Sequence, residues 1–140
     1  MNCPFCDFIA RPQKHLFLAH LRTSLLFLHP DQYYLGRCLL IMSTHKDDVT
    51  ELTASEFTKF TKDLYIAIRL LKQAFRPNRF NIAMLGNKTK HLHWHLFPRY
   101  ESEPNFRNPP WPKPKTKVPA RNRLQILHTV RSVVRKMELL

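Results

Sequence analysis

Apolar residues along this chain recur with two different periods, and each period marks a different kind of element. Phe57, Phe60, Leu64, Ala67, Ile68, Leu71 and Phe75 fall at helical spacing, the signature of one buried stripe. Thr53-Ala54-Ser55-Glu56 ahead of them is a capping box, and Arg76-Pro77 behind them is a stop. The pattern predicts a long helix whose apolar face covers one side of a sheet. In His91-Leu92-His93-Trp94-His95-Leu96-Phe97 the period drops to two, that of a β-strand. Leu92, Trp94 and Leu96 then turn to a core, and His91, His93 and His95 rank along the opposite face roughly 6–7 Å apart. A helix would scatter both sets around its axis.

Shorter signals complete the plan. Ser24–Leu28 and Gly36–Met42 are apolar runs separated by the turn His29-Pro30-Asp31-Gln32, and are expected to pair as a hairpin with an irregular loop. Phe80–Leu85 reads as a further strand, followed by the turn Gly86-Asn87-Lys88-Thr89-Lys90. With only two glycines in the chain, Gly36 and Gly86, each is expected where the backbone needs freedom. Leu124, Leu127, Val130, Val134 and Met137 predict a short C-terminal amphipathic helix. Between Arg11 and Thr23 the pattern is weak, and His15 and His20 read as ordinary surface or boundary residues. Cys3-Pro4-Phe5-Cys6 reads either as half of a zinc site or as reduced thiols in a turn.

Composition narrows the class. At 140 residues and 44% hydrophobic, with ten Phe, one domain with a real core is expected rather than a disordered chain. No apolar run reaches transmembrane length, and three cysteines make no disulfide scaffold, so a soluble cytoplasmic protein is expected. Seven of the eleven prolines lie between Pro98 and Pro119. They divide the expected organisation into a catalytic unit over residues 1–103 and a basic arm with a helix over 104–140, packed on the same domain. The net charge is +13, and nine Lys or Arg lie between Glu103 and Glu138 with no acid among them. That balance favours anionic partners. It fits a solvated surface equally well, and nucleic acid ranks below a nucleotide as the partner.

The histidine strand carries the chemistry. A neutral imidazole can attack phosphorus and form a covalent phosphohistidine, while a neighbouring imidazolium protonates the leaving group. His93, flanked by the other two, is the natural nucleophile. The turn from Gly86 through Asn87, Lys88 and Thr89 offers N–H, amide, hydroxyl and ammonium donors beside it. The rival chemistry is a metal shared by two histidines at i and i+2. Phosphoryl or nucleotidyl transfer ranks ahead of metal-assisted hydrolysis.

The stretch His91–Phe97 resembles the His-φ-His-φ-His-φ-φ signature of the histidine triad (HIT) family. The resemblance runs from Cys3 to about Trp111. It includes the Cys-x-x-Cys opening, the strand ending before His45, Asn81, Leu85-Gly86-Asn87, Pro98-Arg99-Tyr100 and Trp111-Pro112-Lys113-Pro114. The branch it is most similar to is the bacterial, diadenosine tetraphosphate hydrolase-like one. The resemblance implies an α+β fold with a five-stranded antiparallel sheet, a long helix, and a homodimer pairing two sheets edge to edge. It also implies nucleotide hydrolysis or transfer at an α-phosphate of a dinucleoside polyphosphate or phosphoramidate, through a nucleotidyl-histidine. His93 corresponds to the nucleophile, His91 to its orienting partner, and His95 to a phosphate contact or proton donor. Asn81 and Asn87 correspond to polar substrate contacts. Cys3, Cys6, His45 and His91 correspond to the ligands of a structural zinc. Processing of adenylated nucleic-acid ends and a non-catalytic zinc protein are the alternatives.

Overall fold

A computed structural model describes residues 2–14 and 16–137; the expectation for His15 falls outside them. Among the described residues the elements follow in order: helix α1 (Pro4–Ala10), strands β1 (Phe17–His20), β2 (Ser24–Leu28) and β3 (Cys38–Met42), a 3₁₀ turn at Val49–Glu51, helix α2 (Ala54–Phe75), strands β4 (Arg79–Ala83) and β5 (His93–Arg99), and helix α3 (Arg123–Lys136). The sheet is antiparallel in the order β1-β2-β3-β5-β4. The expected α+β class with five antiparallel strands is the one observed, and the histidine strand lies inside the sheet, not at its edge.

Helix α2 begins as its sequence dictates. The Thr53 hydroxyl accepts from the Glu56 N–H, and the Glu56 carboxylate accepts from the Thr53 N–H. It ends at Arg76 in the left-handed conformation, just before Pro77. Phe60, Leu64, Ala67, Leu70 and Leu71 are buried against the sheet, together with Leu40, Leu96 and Leu26. Phe57 is exposed at 40%, so the stripe is rotated toward Leu70. One buried position is polar. The Asp63 carboxylate accepts from the Thr23 N–H, the Thr23 hydroxyl and the Ser24 hydroxyl at 2.7–2.8 Å, clasping α2 to the β1–β2 turn.

Three local expectations are revised. The weak region after Arg11 holds the edge strand β1; four residues paired only to β2 leave too little alternation to read. The Cys3–Cys6 segment is the start of a helix, not a turn. Its Phe8 ring stands edge-on to Phe27 with centroids 5.4 Å apart. In α3 the buried face is Ile126, Leu127, Val130, Val133 and Val134, while Leu124 in the first turn is 74% exposed. Helix α3 also guards the β1 edge, because the Arg131 guanidinium donates to the Phe17 carbonyl. Both glycines have positive φ, +85° at Gly36 and +77° at Gly86. At Gly36 a Cβ would lie 2.7 Å from the Phe75 ring.

Candidate active site and metal centre

Strand register decides which side chains share a face. Along β5, Leu96 joins the core beneath α2, and Trp94 is half-buried against Phe60. His93, His95, Phe97 and Arg99 line the other face. Ile41, Leu39 and Asn81 sit opposite His93, His95 and Phe97 on neighbouring strands. Phe5 of α1 stands edge-on to His93, with centroids 4.7 Å apart. Trp111, from the proline arm, stands edge-on to both His95 and Phe97 at 4.8 Å.

The hydrogen bonds assign the protons. His93 Nδ1 lies 2.6 Å from the His91 carbonyl oxygen. An oxygen there can only accept, so Nδ1 carries the hydrogen and Nε2 of the neutral ring keeps a lone pair. His95 Nε2 lies 3.1 Å from His93 Nε2 and therefore donates its hydrogen to that lone pair. His95 Nδ1 is left bare, buried and without a partner among the described residues. Burial holds both rings below the ordinary imidazole pKa. The His93 carbonyl contact opposes the fall. For His95, neighbouring His93 and Arg37 add to the burial and take it to about 3. Both rings are neutral at pH 7. It is the backbone of His91, not its imidazole, that orients His93.

The His91 ring turns the other way. Its Nε2 is 2.7 Å from the Met42 carbonyl, and its Nδ1 faces Cys3 Sγ at 3.4 Å, Cys6 Sγ at 3.6 Å and His45 Nδ1 at 3.2 Å. Cys6 Sγ is 3.3 Å from His45 Nδ1, and all four ligand atoms lie within 4.8 Å of one another. A tetrahedral zinc with ordinary N and S bond lengths separates its ligand atoms by roughly 3.3–3.8 Å, so this Cys₂His₂ set fits. The supporting contacts fit as well: His45 Nε2 meets Asp47 Oδ1 at 2.7 Å and His91 Nε2 meets a carbonyl, which turns both Nδ1 atoms inward. Burial raises the Cys3 thiol, but contacts from the Cys6 N–H and side chain, the Phe5 N–H and the His45 side chain together outweigh it and hold the thiol below its usual value. The thiol pair and His45 come from α1 and the end of β3, elements brought together only by the fold.

Other expected contacts are placed differently. Asn81 Oδ1 accepts from Arg99 at 2.6 Å, so half of its amide is committed to the scaffold. Asn81 still lines an 870 Å³ groove between β4 and the proline arm, which shares Phe97 and Trp111 with the histidine face. Gly86, Asn87, Lys88 and Thr89 form an irregular loop leading to His91. Among the described residues no hydrogen bond joins their side chains to the imidazoles. Arg99 is only 1% exposed and makes four hydrogen bonds, to Glu103, Asn81 and the carbonyls of Asn105 and Asn108. Arg37 is also buried, at 9% exposure, beside Phe97 and Trp111. Sequence reasoning passed it over, because one arginine at a strand entry looks like a surface charge.

Fold and face together define an α+β protein with a histidine-bearing strand in the interior of an antiparallel sheet. The chain belongs to the histidine triad family: the HIT domain matches residues 11–102. It is 35% identical over 66 residues to AP-4-A phosphorylase of Mycobacterium tuberculosis, a match covering 43% of this chain. The chain spans about a third of that relative's length. A histidine triad protein of Sinorhizobium meliloti is 25% identical, with a TM-score of 0.71 over 89% of each chain. A Zn-bound histidine triad family protein of Mycobacterium smegmatis shares the fold at 19% identity, with a TM-score of 0.75 over 99% of this chain and 96% of that one. Among the described residues no helix is long and apolar enough to cross a membrane.

Proposed function

We propose that the protein is a nucleotide hydrolase or transferase in which His93 takes a nucleotidyl group from a dinucleoside polyphosphate or a related nucleotide. The observation that carries this reading is the pair of contacts at His93. Nδ1–H is fixed on the His91 carbonyl, and the Nε2 lone pair faces the Nε2–H of His95. Nε2 forms a bond to the α-phosphorus as the bond from phosphorus to the leaving oxygen breaks. The His95 Nε2–H is placed to follow that oxygen. Phosphate oxygens arriving beside His95 favour its charged form and offset the burial that depresses it. Water then cleaves the P–N bond and releases a nucleoside monophosphate. The name of the Mycobacterium tuberculosis relative supports a dinucleoside tetraphosphate as the first substrate to try.

Cys3, Cys6, His45 and His91 would hold a zinc with all four positions filled by protein. Such a closed site ties α1 to the sheet and offers no open position for chemistry. The exposed Gly86–Thr89 loop and the free side of the Asn81 amide are assigned to substrate contact. Two copies would pair through β4, an edge strand with Ile82 exposed at 40%, since the other edge carries Arg131.

The test is a quenched incubation with diadenosine tetraphosphate followed by intact mass and peptide mapping. One adenylyl group on His93 is expected, and His93→Gly should lose turnover while keeping the wild-type circular dichroism spectrum. Full turnover in that variant overturns the reading.

A further inference from the structure

Two arginines lie buried along the histidine face, and they are treated very differently. Arg99 spends its N–H groups on four acceptors. Arg37, somewhat less deeply buried, makes no side-chain hydrogen bond among the described residues. Its Nε is buried without a partner, and its nearest carboxylate oxygen, Asp31 Oδ2, is 3.9 Å away. A buried Nε–H without a partner costs stability, a cost that an incoming acceptor would offset.

The surroundings say which kind. The guanidinium lies over the Phe97 ring, 4.6 Å from its centroid, and 6.0 Å from Trp111. Phe97 in turn stacks on His95 with an interplanar angle of 15°. The guanidinium thus lies one ring beyond His95 along the same face. Its backbone is held firmly. The Arg37 carbonyl accepts from the His29 N–H and from Gln32 Nε2, the Gln32 amide oxygen accepts from the Gly36 N–H, and the Arg37 N–H donates to Tyr34. Lys113 of the proline arm adds a second cation, 3.0 Å from Asp31 Oδ2.

We propose that Arg37, assisted by Lys113, receives the phosphate oxygens of the leaving group and so selects substrates whose leaving group is a polyphosphate over those that release a neutral amine. This rests on the nucleotidyl-histidine reading above. As the phosphorus–oxygen bond breaks and the bond to His93 Nε2 forms, negative charge moves onto the departing phosphate. A planar guanidinium with free N–H groups matches that charge in a bidentate manner. A phosphoramidate leaving group ends as an amine after taking its proton and has nothing to offer Arg37.

The test compares kcat/KM for diadenosine tetraphosphate and for adenosine 5′-phosphoramidate in wild type, Arg37→Met, Arg37→Lys and Lys113→Gln. In Arg37→Met the ratio of the two is expected to fall about ten- to a hundredfold, the scale of a charge-assisted contact. Arg37→Lys should restore part of it. Lys113→Gln, on the exposed arm, should lower it several-fold without disturbing the fold. An unchanged ratio, or equal losses on both substrates, overturns the proposal. Inorganic tripolyphosphate binding, measured by calorimetry, separates the two readings. If the wild type turns over neither substrate, nucleotidyl transfer fails on its own. The Arg37 assignment is then overturned by equal tripolyphosphate affinity in wild type and Arg37→Met, and upheld by its loss.

Discussion

The Trp111 indole stands edge-on to the His95 imidazole, with centroids 4.8 Å apart and an interplanar angle of 88°. A residue of the proline arm thus covers a ring of strand β5. Burial is the first cause of the low His95 pKa, about 3. Trp111→Ala should therefore raise it toward the ordinary value near 6.5. Titration of the His95 ring by NMR checks this, and an unmoved pKa would assign the burial to Phe97 and Arg37 instead.

Long helix and histidine strand were legible because each repeats a period over several residues, though packing rotated the helix stripe toward Leu70 and turned the His91 ring to the thiols. What the sequence hid was long-range. Asp63 reads as a lone acid in a helix, yet its partner Thr23 lies 40 residues earlier in the chain. Its place on the Phe60–Leu64–Ala67 stripe was the available clue. Arg37 meets Phe97 and Trp111 from two later segments, and no local pattern reports that. The four metal-ligand candidates were legible as residue types. Their convergence depends on α1, a helix of only seven residues whose placement comes from tertiary packing. The His91 carbonyl, which orients His93, could not be read from side chains at all.

Asp63→Ala removes one acceptor from three donors at once. The loss expected is about 3 kcal/mol, read as a lower urea midpoint with the slope unchanged. Thr23→Ala should cost less, because the Thr23 N–H and the Ser24 hydroxyl keep their bonds.

Purified protein should carry about one zinc per chain, and a Cys3→Ser, Cys6→Ser double variant should carry none, as counted by elemental analysis. Chelation should lower the melting temperature of the wild type, since a site formed only in the folded state stabilises it. The double variant should be insensitive to chelator.

Burial, and after it the charge of Arg37, lowers the His29 pKa to about 4. The unfolded ring titrates near 6.5, so between these values the unfolded chain binds more protons. The His29 contribution to stability is whole above pH 6.5 and is lost as pH falls toward 4. Urea midpoints measured across this window should decline with acid, and less steeply in His29→Gln. In Arg37→Met the His29 pKa should rise, because the second of its lowering causes is gone.

His91 gives its ring to the thiols and its carbonyl to the neighbouring imidazole two places on. One peptide unit thus joins the two halves of the face. A shift at the cysteine end travels a single residue to reach the proton on His93 Nδ1, and with it the choice of which nitrogen stands bare. Replacement of the side chain at 91 removes the ring that anchors this peptide unit to the thiols and to the Met42 carbonyl, while the carbonyl itself stays in the chain.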